Sequence, residues 1–178
     1  MNTIPTITID QLQTGDLVAV KTPFGISPMS WLSLGIREIA KIPYNHMTVI
    51  VRNWHKVTVN EAIGRGVLPT VAEHRFKAGI DYMVLRPKQP VLSERDFALR
   101  ANEILTYTGY DFKGLFIDQL TLQLFHKWKG RTGEAAMKKM YCYEYAAYCY
   151  QEYYPQWWQI DPKVMLNGDR FNHLKLVV

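Results

Sequence analysis

The chain has only two cysteines in 178 residues, Cys142 and Cys149. Two thiols make no disulfide framework. On one helix they would stand about 10.5 Å apart along the axis, too far for a bridge. Free thiols fit a reducing compartment. Cys-x-x-Cys and His-Glu-x-x-His are both missing, so no metal site and no cofactor are expected. No apolar run approaches the length of a bilayer span. The first ten residues show no basic region leading into an apolar one. No secretory signal is therefore expected, and the expected location is cytoplasmic, with delivery by a phage particle or secretion machine left open. No repeat, low-complexity tract or linker interrupts the sequence, so one domain over residues 1–178 is expected. A net charge of +5 with 21% charged residues falls short of a dedicated nucleic-acid binder. It excludes a specific nucleic-acid partner from the expectations and leaves room for an anionic one. Oligomeric state is left unknown.

What is present is an ordinary globular composition, 48% hydrophobic, in a chain long enough to bury a core. Thr14-Gly15 leads into an alternating strand over 16–20. Ser27-Pro28 reads as a helix start, with Pro43 as its stop. Residues 47–51 and 57–63 form two strands around a short turn at Trp54-His55, an antiparallel hairpin. After the break at Gly64-Arg65-Gly66, 67–70 resumes a strand, and 82–85 makes another. The period then changes. Ser93-Glu94-Arg95-Asp96 resembles a capping box that opens a helix to 104 or 105. Asp111 caps a second helix over 113–127. A basic loop follows over 130–139, then a third helix over 141–153 and a Trp-rich tail. Strands first and helices after them predict an α+β fold.

Three residues carry chemistry. Cys142 stands where the basic loop turns into an aromatic, Ala-rich helix, in Met-Tyr-Cys142-Tyr-Glu144. A helix N-terminus carries partial positive charge and unpaired N–H groups. Both favour a thiolate and a tetrahedral oxyanion, with the Cys142 N–H as first donor. His46, in Asn45-His46-Met47, opens an apolar strand and is placed to take the thiol proton. Glu61, in Asn60-Glu61-Ala62, lies on the next strand and is placed to orient the imidazole. Singly, each reads more readily as structural: a small buried cysteine, a structural histidine, a solvent-face carboxylate. Cys149, two turns further along, reads as packing. Glu144 points away from Cys142 and is given a structural hydrogen-bonding or salt-bridge role. His55, His74, His126 and His173 read as surface residues.

The order of these pieces is more specific than any one of them. Gly15-Asp16-Leu17-Val18, Asn45-His46-Met47-Thr48, Val59-Asn60-Glu61-Ala62, Val84-Leu85-Arg86, Gly109-Tyr110-Asp111 and Tyr141-Cys142-Tyr143-Glu144 follow one another. Together they resemble the circularly permuted NlpC-type papain-like cysteine hydrolases of the YiiX/YebB-like kind. More distantly they resemble lecithin:retinol acyltransferase-like enzymes. The resemblance implies a papain-like core, an antiparallel and partly barrel-like sheet packed against helices. It also implies a triad of Cys142, His46 and Glu61. Tyr143 replaces the usual Ser after the Cys, and Thr48 stands where Gly is common, so pocket shape is where this chain departs from the pattern.

Tyr141, Tyr143, Asn45 and Tyr110 flank these motifs and are the expected substrate contacts. The expected activity is cleavage of an amide or ester through a thioester. The substrate is a peptide, a peptidoglycan-like molecule or a lipid acyl group. The alternatives are acyl transfer from the same thioester, with peripheral membrane contact, and a non-catalytic binding module. Lys127, Lys129, Arg131, Lys138 and Lys139 crowd the approach to Cys142. They read first as a solvated loop and second as a draw for an anionic group.

Overall fold

A computed structural model of the chain describes residues 3–21, 41–105 and 109–178. The helix expected between Ser27 and Pro43 lies, but for its last residues, outside the described residues. The strands are β1 (Thr6–Ile7), β2 (Leu17–Lys21), β3 (His46–Asn53), β4 (Lys56–Ile63), β5 (Gly66–Val71) and β6 (Asp81–Pro87). β7 (Gly109–Tyr110), β8 (Lys139–Met140) and β9 (Phe171–Leu176) complete them. Seven strands form one sheet in the order β1-β9-β6-β2-β3-β4-β5. Every pairing in it is antiparallel except β1 with β9. The helices are α1 (Ala72–Arg75), α2 (Glu94–Glu103), α3 (Gln119–Phe125), α4 (Glu134–Met137), α5 (Cys142–Cys149) and α6 (Pro162–Asn167). The architecture is α+β, a mostly antiparallel sheet packed against helices, as the order of elements in the sequence predicts.

Side chains on a strand alternate between two faces. Leu17, Ala19, Met47, Val49 and Ala62 belong to one apolar cluster, shared with α2 and α5. Val18, Val20, Ile50, Val59 and Val84 belong to a second, closed by Leu12, Phe76 and Tyr82. The sheet is therefore apolar on both faces. Helix α5 is buried from end to end, as a helix without a polar face must be. Its tyrosines bring hydroxyls inside, and each finds a partner. Tyr145 donates to the Ala101 carbonyl at 2.7 Å, Tyr148 meets Glu103 at 2.8 Å, and Tyr143 donates to the Tyr44 carbonyl at 2.9 Å. Tyr150, just past the helix, donates to the Gly15 carbonyl. Gly15 has φ +95°, and a Cβ there would lie 3.1 Å from that hydroxyl oxygen. The position needs glycine for both reasons.

Several local expectations are corrected. Ser93 does cap α2, accepting the Asp96 N–H at 3.1 Å. The helix expected over 113–127 is a π-turn (Gly114–Asp118) running into α3, which stops at His126 with φ 53°. The third helix ends at Cys149 rather than 153. The basic loop contains α4 and β8, and the Trp-rich tail is followed by α6 and β9. His173 is not a surface residue. It lies half-buried on β9 opposite Leu85, with Nε2 enclosed and unpartnered. No described helix is long and apolar enough to cross a membrane.

Asp16 is 1% exposed and clamped by Arg86, Nε to Oδ1 at 2.9 Å and Nη2 to Oδ2 at 2.7 Å. The Gln13 N–H adds a third bond at 2.8 Å. Removing one partner of a buried ion pair leaves an uncompensated charge. The partial exposure of Arg86 (side chain 23%) screens the pair and trims the cost. Arg86→Ala should lower the unfolding free energy by about 2–3 kcal/mol in urea titration. A loss under about 0.5 kcal/mol, the range of ordinary surface changes, would show that Asp16 does not depend on the clamp.

Candidate active site

The hairpin register brings two of the singled-out residues together. Ile50 pairs with Val59 across β3 and β4. Steps of two residues lead from Ile50 to His46 and from Val59 to Glu61, so both side chains share a face. His46 Nε2 stands 2.7 Å from Glu61 Oε2. Glu61 is 5% exposed, and its second partner comes from α1: Arg75 Nε lies 2.8 Å from both carboxylate oxygens. As the first residue of β3, His46 also stands at the end of the sheet, near enough to Cys142 for the sulfur's charge to raise its pKa. With Nε2 held by Glu61, Nδ1 is the nitrogen left for the sulfur.

Cys142 is the first residue of α5 and is 2% exposed. The approach to it is fixed by β7 and β8, whose parallel pairing sets Tyr110 beside Met140. Tyr141, Cys142 and the helix follow directly. The first backbone bond of the helix runs from the Tyr145 N–H to the Tyr141 carbonyl at 3.0 Å. The N–H groups of residues 142–144 therefore have no helical partner and face the first turn. Glu144, at the third helical position, accepts the Tyr141 N–H at 3.1 Å, one half of a capping box.

The electrostatics follow from these contacts. Burial pushes the His46 pKa down. The charge of Cys142 and its hydrogen bond, then the bond to Glu61 and its charge, outweigh burial and push it up from 6.5 to about 9. Glu61 would be raised by burial, but the His46 bond and charge, with Arg75, hold it below the usual carboxylate range. At Cys149 burial outweighs the lowering effects of Tyr145 and the Arg100 charge and pushes the thiol up to about 12. Burial, with the Cys142 and Glu144 charges behind it, raises the Tyr110 phenol and keeps its proton on.

The four expected substrate contacts are not alike. Tyr110 is half-buried beside Cys142 and has surface to offer. Asn45 is 5% exposed, with its N–H on the Val20 carbonyl at 3.2 Å. Tyr141 and Tyr143 are fully buried. The Tyr141 hydroxyl is engaged by Gln119 Nε2 at 2.5 Å and donates to the Ile160 carbonyl at 3.2 Å. The Tyr143 hydroxyl holds Tyr44, two residues ahead of His46. Their side chains are struts under the site and not contacts within it. Of the basic residues, Lys127, Lys129, Lys138 and Lys139 are exposed, and Arg131 instead bridges to buried Asp111 at 2.9 Å. Sequence reasoning missed Arg75. Nothing in Ala-Glu-His-Arg75 marks it as the partner of a carboxylate fourteen residues earlier.

No family model matches the sequence, and no curated protein matches it. Among solved structures the fold is similar to the crystal structure of metalloprotein yiiX from Escherichia coli O157:H7, DUF1105. The two share 16% identity over 92% of this chain and 97% of that chain, with a TM-score of 0.53. The shared fold is thus the YiiX-like one, at a distance where sequence is mostly changed.

A histidine pKa raised above its unfolded value stabilises the fold fully below pH 6.5 and loses that contribution as pH rises through about 9. The depressed Glu61 contributes above its ordinary range and is lost as pH falls through its folded value. In an NMR titration the His46 ring should titrate near 9 in the wild type and distinctly lower in Glu61→Gln. An identical midpoint in both would remove Glu61 as a cause.

Proposed function

We propose that this chain is a cysteine hydrolase that cleaves an amide or ester bond through a thioester on Cys142. One observation carries the reading: a half-buried imidazole bonded to a carboxylate at 2.7 Å and near enough to Cys142, at a helix start, for the sulfur's charge to raise its pKa. Free cysteine is largely thiol at neutral pH. An imidazolium at hydrogen-bonding distance stabilises the thiolate, and the helix N-terminus adds its partial positive charge.

The chemistry runs in two steps. The Cys142 sulfur forms a bond to the substrate carbonyl carbon, and the oxyanion is held by free N–H groups of the first helical turn. The C–N or C–O bond breaks as His46 gives its proton to the leaving group. Water then attacks the thioester carbon while His46 takes its proton, the C–S bond breaks, and the acid leaves. Glu61 holds the ring in orientation and favours its charged form. Arg75 acts one step back, as a positioning residue. The Tyr110 phenol, protonated and beside the sulfur, is placed to donate to the substrate.

The structural neighbour is titled a metalloprotein. Among the described residues of this chain no three His, Cys, Asp or Glu side chains stand together in an arrangement that holds an ion. No step here passes through a metal.

A second reading, a lipid acyl substrate hydrolysed or passed to an acceptor, is favoured by a specific surface. Phe112, Ile117, Leu124 and Phe125 are 42–65% exposed along the segment after Tyr110, and exposed Lys127 and Lys129 follow. An apolar stripe with cations at its edge suits an anionic interface.

Iodoacetamide at neutral pH should alkylate Cys142 far faster than Cys149, read by peptide mass spectrometry. His46→Ala should slow Cys142 by about tenfold or more, in keeping with the worth of a positioned base. Equal, slow labelling of both cysteines would sink the nucleophile assignment. Incubation with mixed peptide and lipid extracts should leave an acyl adduct on wild type and none on Cys142→Ala, and the adduct mass decides between the two substrate readings.

A further inference from the structure

A sizeable cavity with no Cys142 in its lining opens where the chain after α5 folds back on α3. Its volume is about 680 Å³, in the range of small-molecule sites. Trp128, Tyr153, Tyr154 and Ile160 give it apolar walls, and Gln123, Gln156 and Gln159 line it with amides.

Three details say what it suits. Trp128 is half-buried and fixed by its Nε1–H on the Arg131 carbonyl at 3.0 Å, which leaves an indole face with no aromatic or cationic partner among the described residues. The Tyr154 hydroxyl is enclosed and has no hydrogen-bond partner among the described residues. A buried hydroxyl in that state is unusual and marks a missing partner. The Gln159 side chain donates to Gln156 Oε1, and the Gln156 NH₂ and the Gln159 carbonyl make no other hydrogen bond among the described residues. The lining holds one carboxylate, Asp161, and neither lysine nor arginine. An anion would meet the Asp161 carboxylate, set against His126 in the lining and Lys163 at its edge on Gln123 Oε1 at 3.5 Å, and a hydrocarbon chain would strand the amides and the hydroxyl.

We infer that this cavity binds a neutral saccharide, one ring stacked on Trp128 and its hydroxyl or acetamido groups paired with Gln156, Gln159 and Tyr154. Amides offer donor and acceptor side by side, which matches a ring of hydroxyls and, reciprocally, an acetamido group. The site is built into the frame of the helix that carries Cys142. The carbonyl of Ile160, in the cavity wall, accepts from Tyr141 and from Gln119 Nε2 at 2.9 Å, and Tyr141 immediately precedes Cys142. The inference does not depend on the chemistry of Cys142.

The test is calorimetric titration of the full chain with tri-N-acetylchitotriose, with tryptophan fluorescence alongside. Wild type and Cys142→Ala should bind saturably and alike. Trp128→Ala and the Gln156→Ala/Gln159→Ala pair should each bind about tenfold more weakly, the scale of one lost stacking or charge-free hydrogen-bond set. Tyr154→Phe, which removes one oxygen and no packing, should bind about threefold more weakly. No saturable heat with the wild type would overturn the inference. So would equal affinity across all these variants. Loss of labelling at Cys142 with saccharide binding intact would count against the hydrolase reading alone.

Discussion

His46 sits where a charged ring should be unwelcome. Burial by itself lowers its pKa, and only the two groups on either side of the ring reverse that. The structure of the site is the structure needed to keep those two groups in place. Glu61 is nearly enclosed and would itself drift toward neutrality, which would remove the anion that His46 leans on. The His46 bond and charge oppose this first, and Arg75, bonded to both Glu61 oxygens, adds to them. The chain Arg75, Glu61, His46, Cys142 alternates in charge from the solvent-reaching end inward. Breaking it at any link changes the proton affinity of the next.

Distance along the chain makes this arrangement costly to hold. His46 comes early and Cys142 late, so a sheet strand and a helix must be locked at their ends. The lock is partly Tyr143. Its hydroxyl reaches the Tyr44 carbonyl across 99 residues of sequence, so the residue after the sulfur grips the strand just before the imidazole. A serine at this position could not span that gap. The substitution that made Tyr143 look like an altered pocket residue is a brace between the two halves of the site. Tyr150 and Gly15, at the other end of the helix, make a second tie to the start of β2.

Much of this was legible in the sequence because it rests on local signals. Alternation located β2 through β6, Ser93 located the start of α2, and the order of His46, Glu61 and Cys142 singled out the residues of the proposed site. What was not legible was set by partners far apart in sequence. Strand β9 alternates poorly, since His173 and Leu174 are both half-buried. It exists because β6 and β1 supply both of its edges. Helix α5 stops four residues early because Tyr150 turns out to reach Gly15 instead of continuing the spiral. Arg75 sits on a one-turn helix with no periodicity of its own, and its role is defined by where β4 runs. Tyr141 and Tyr143 lay next to the sulfur in sequence, but a helix start turns neighbouring side chains in different directions, and these two turn inward.

The start of α5 raises one further electrostatic question, because it gathers acids around the sulfur proposed as the nucleophile. Asp111, Asp118 and Glu144 are all buried there. Asp111 is matched by Arg131 and Asp118 by Lys113, at 2.9 and 2.8 Å. Glu144 has no cation among the described residues. Burial raises its pKa well above the ordinary value, and the Asp111 and Cys142 charges push it further, against the lowering effect of the Tyr141 N–H. A neutral Glu144 still accepts that N–H and still caps the helix, but it adds no anion beside Cys142. An ionised carboxylate in the same place would oppose a thiolate at close range in a low-dielectric setting. The burial that encloses the helix start also pushes Glu144 toward its neutral form, which weakens that opposition.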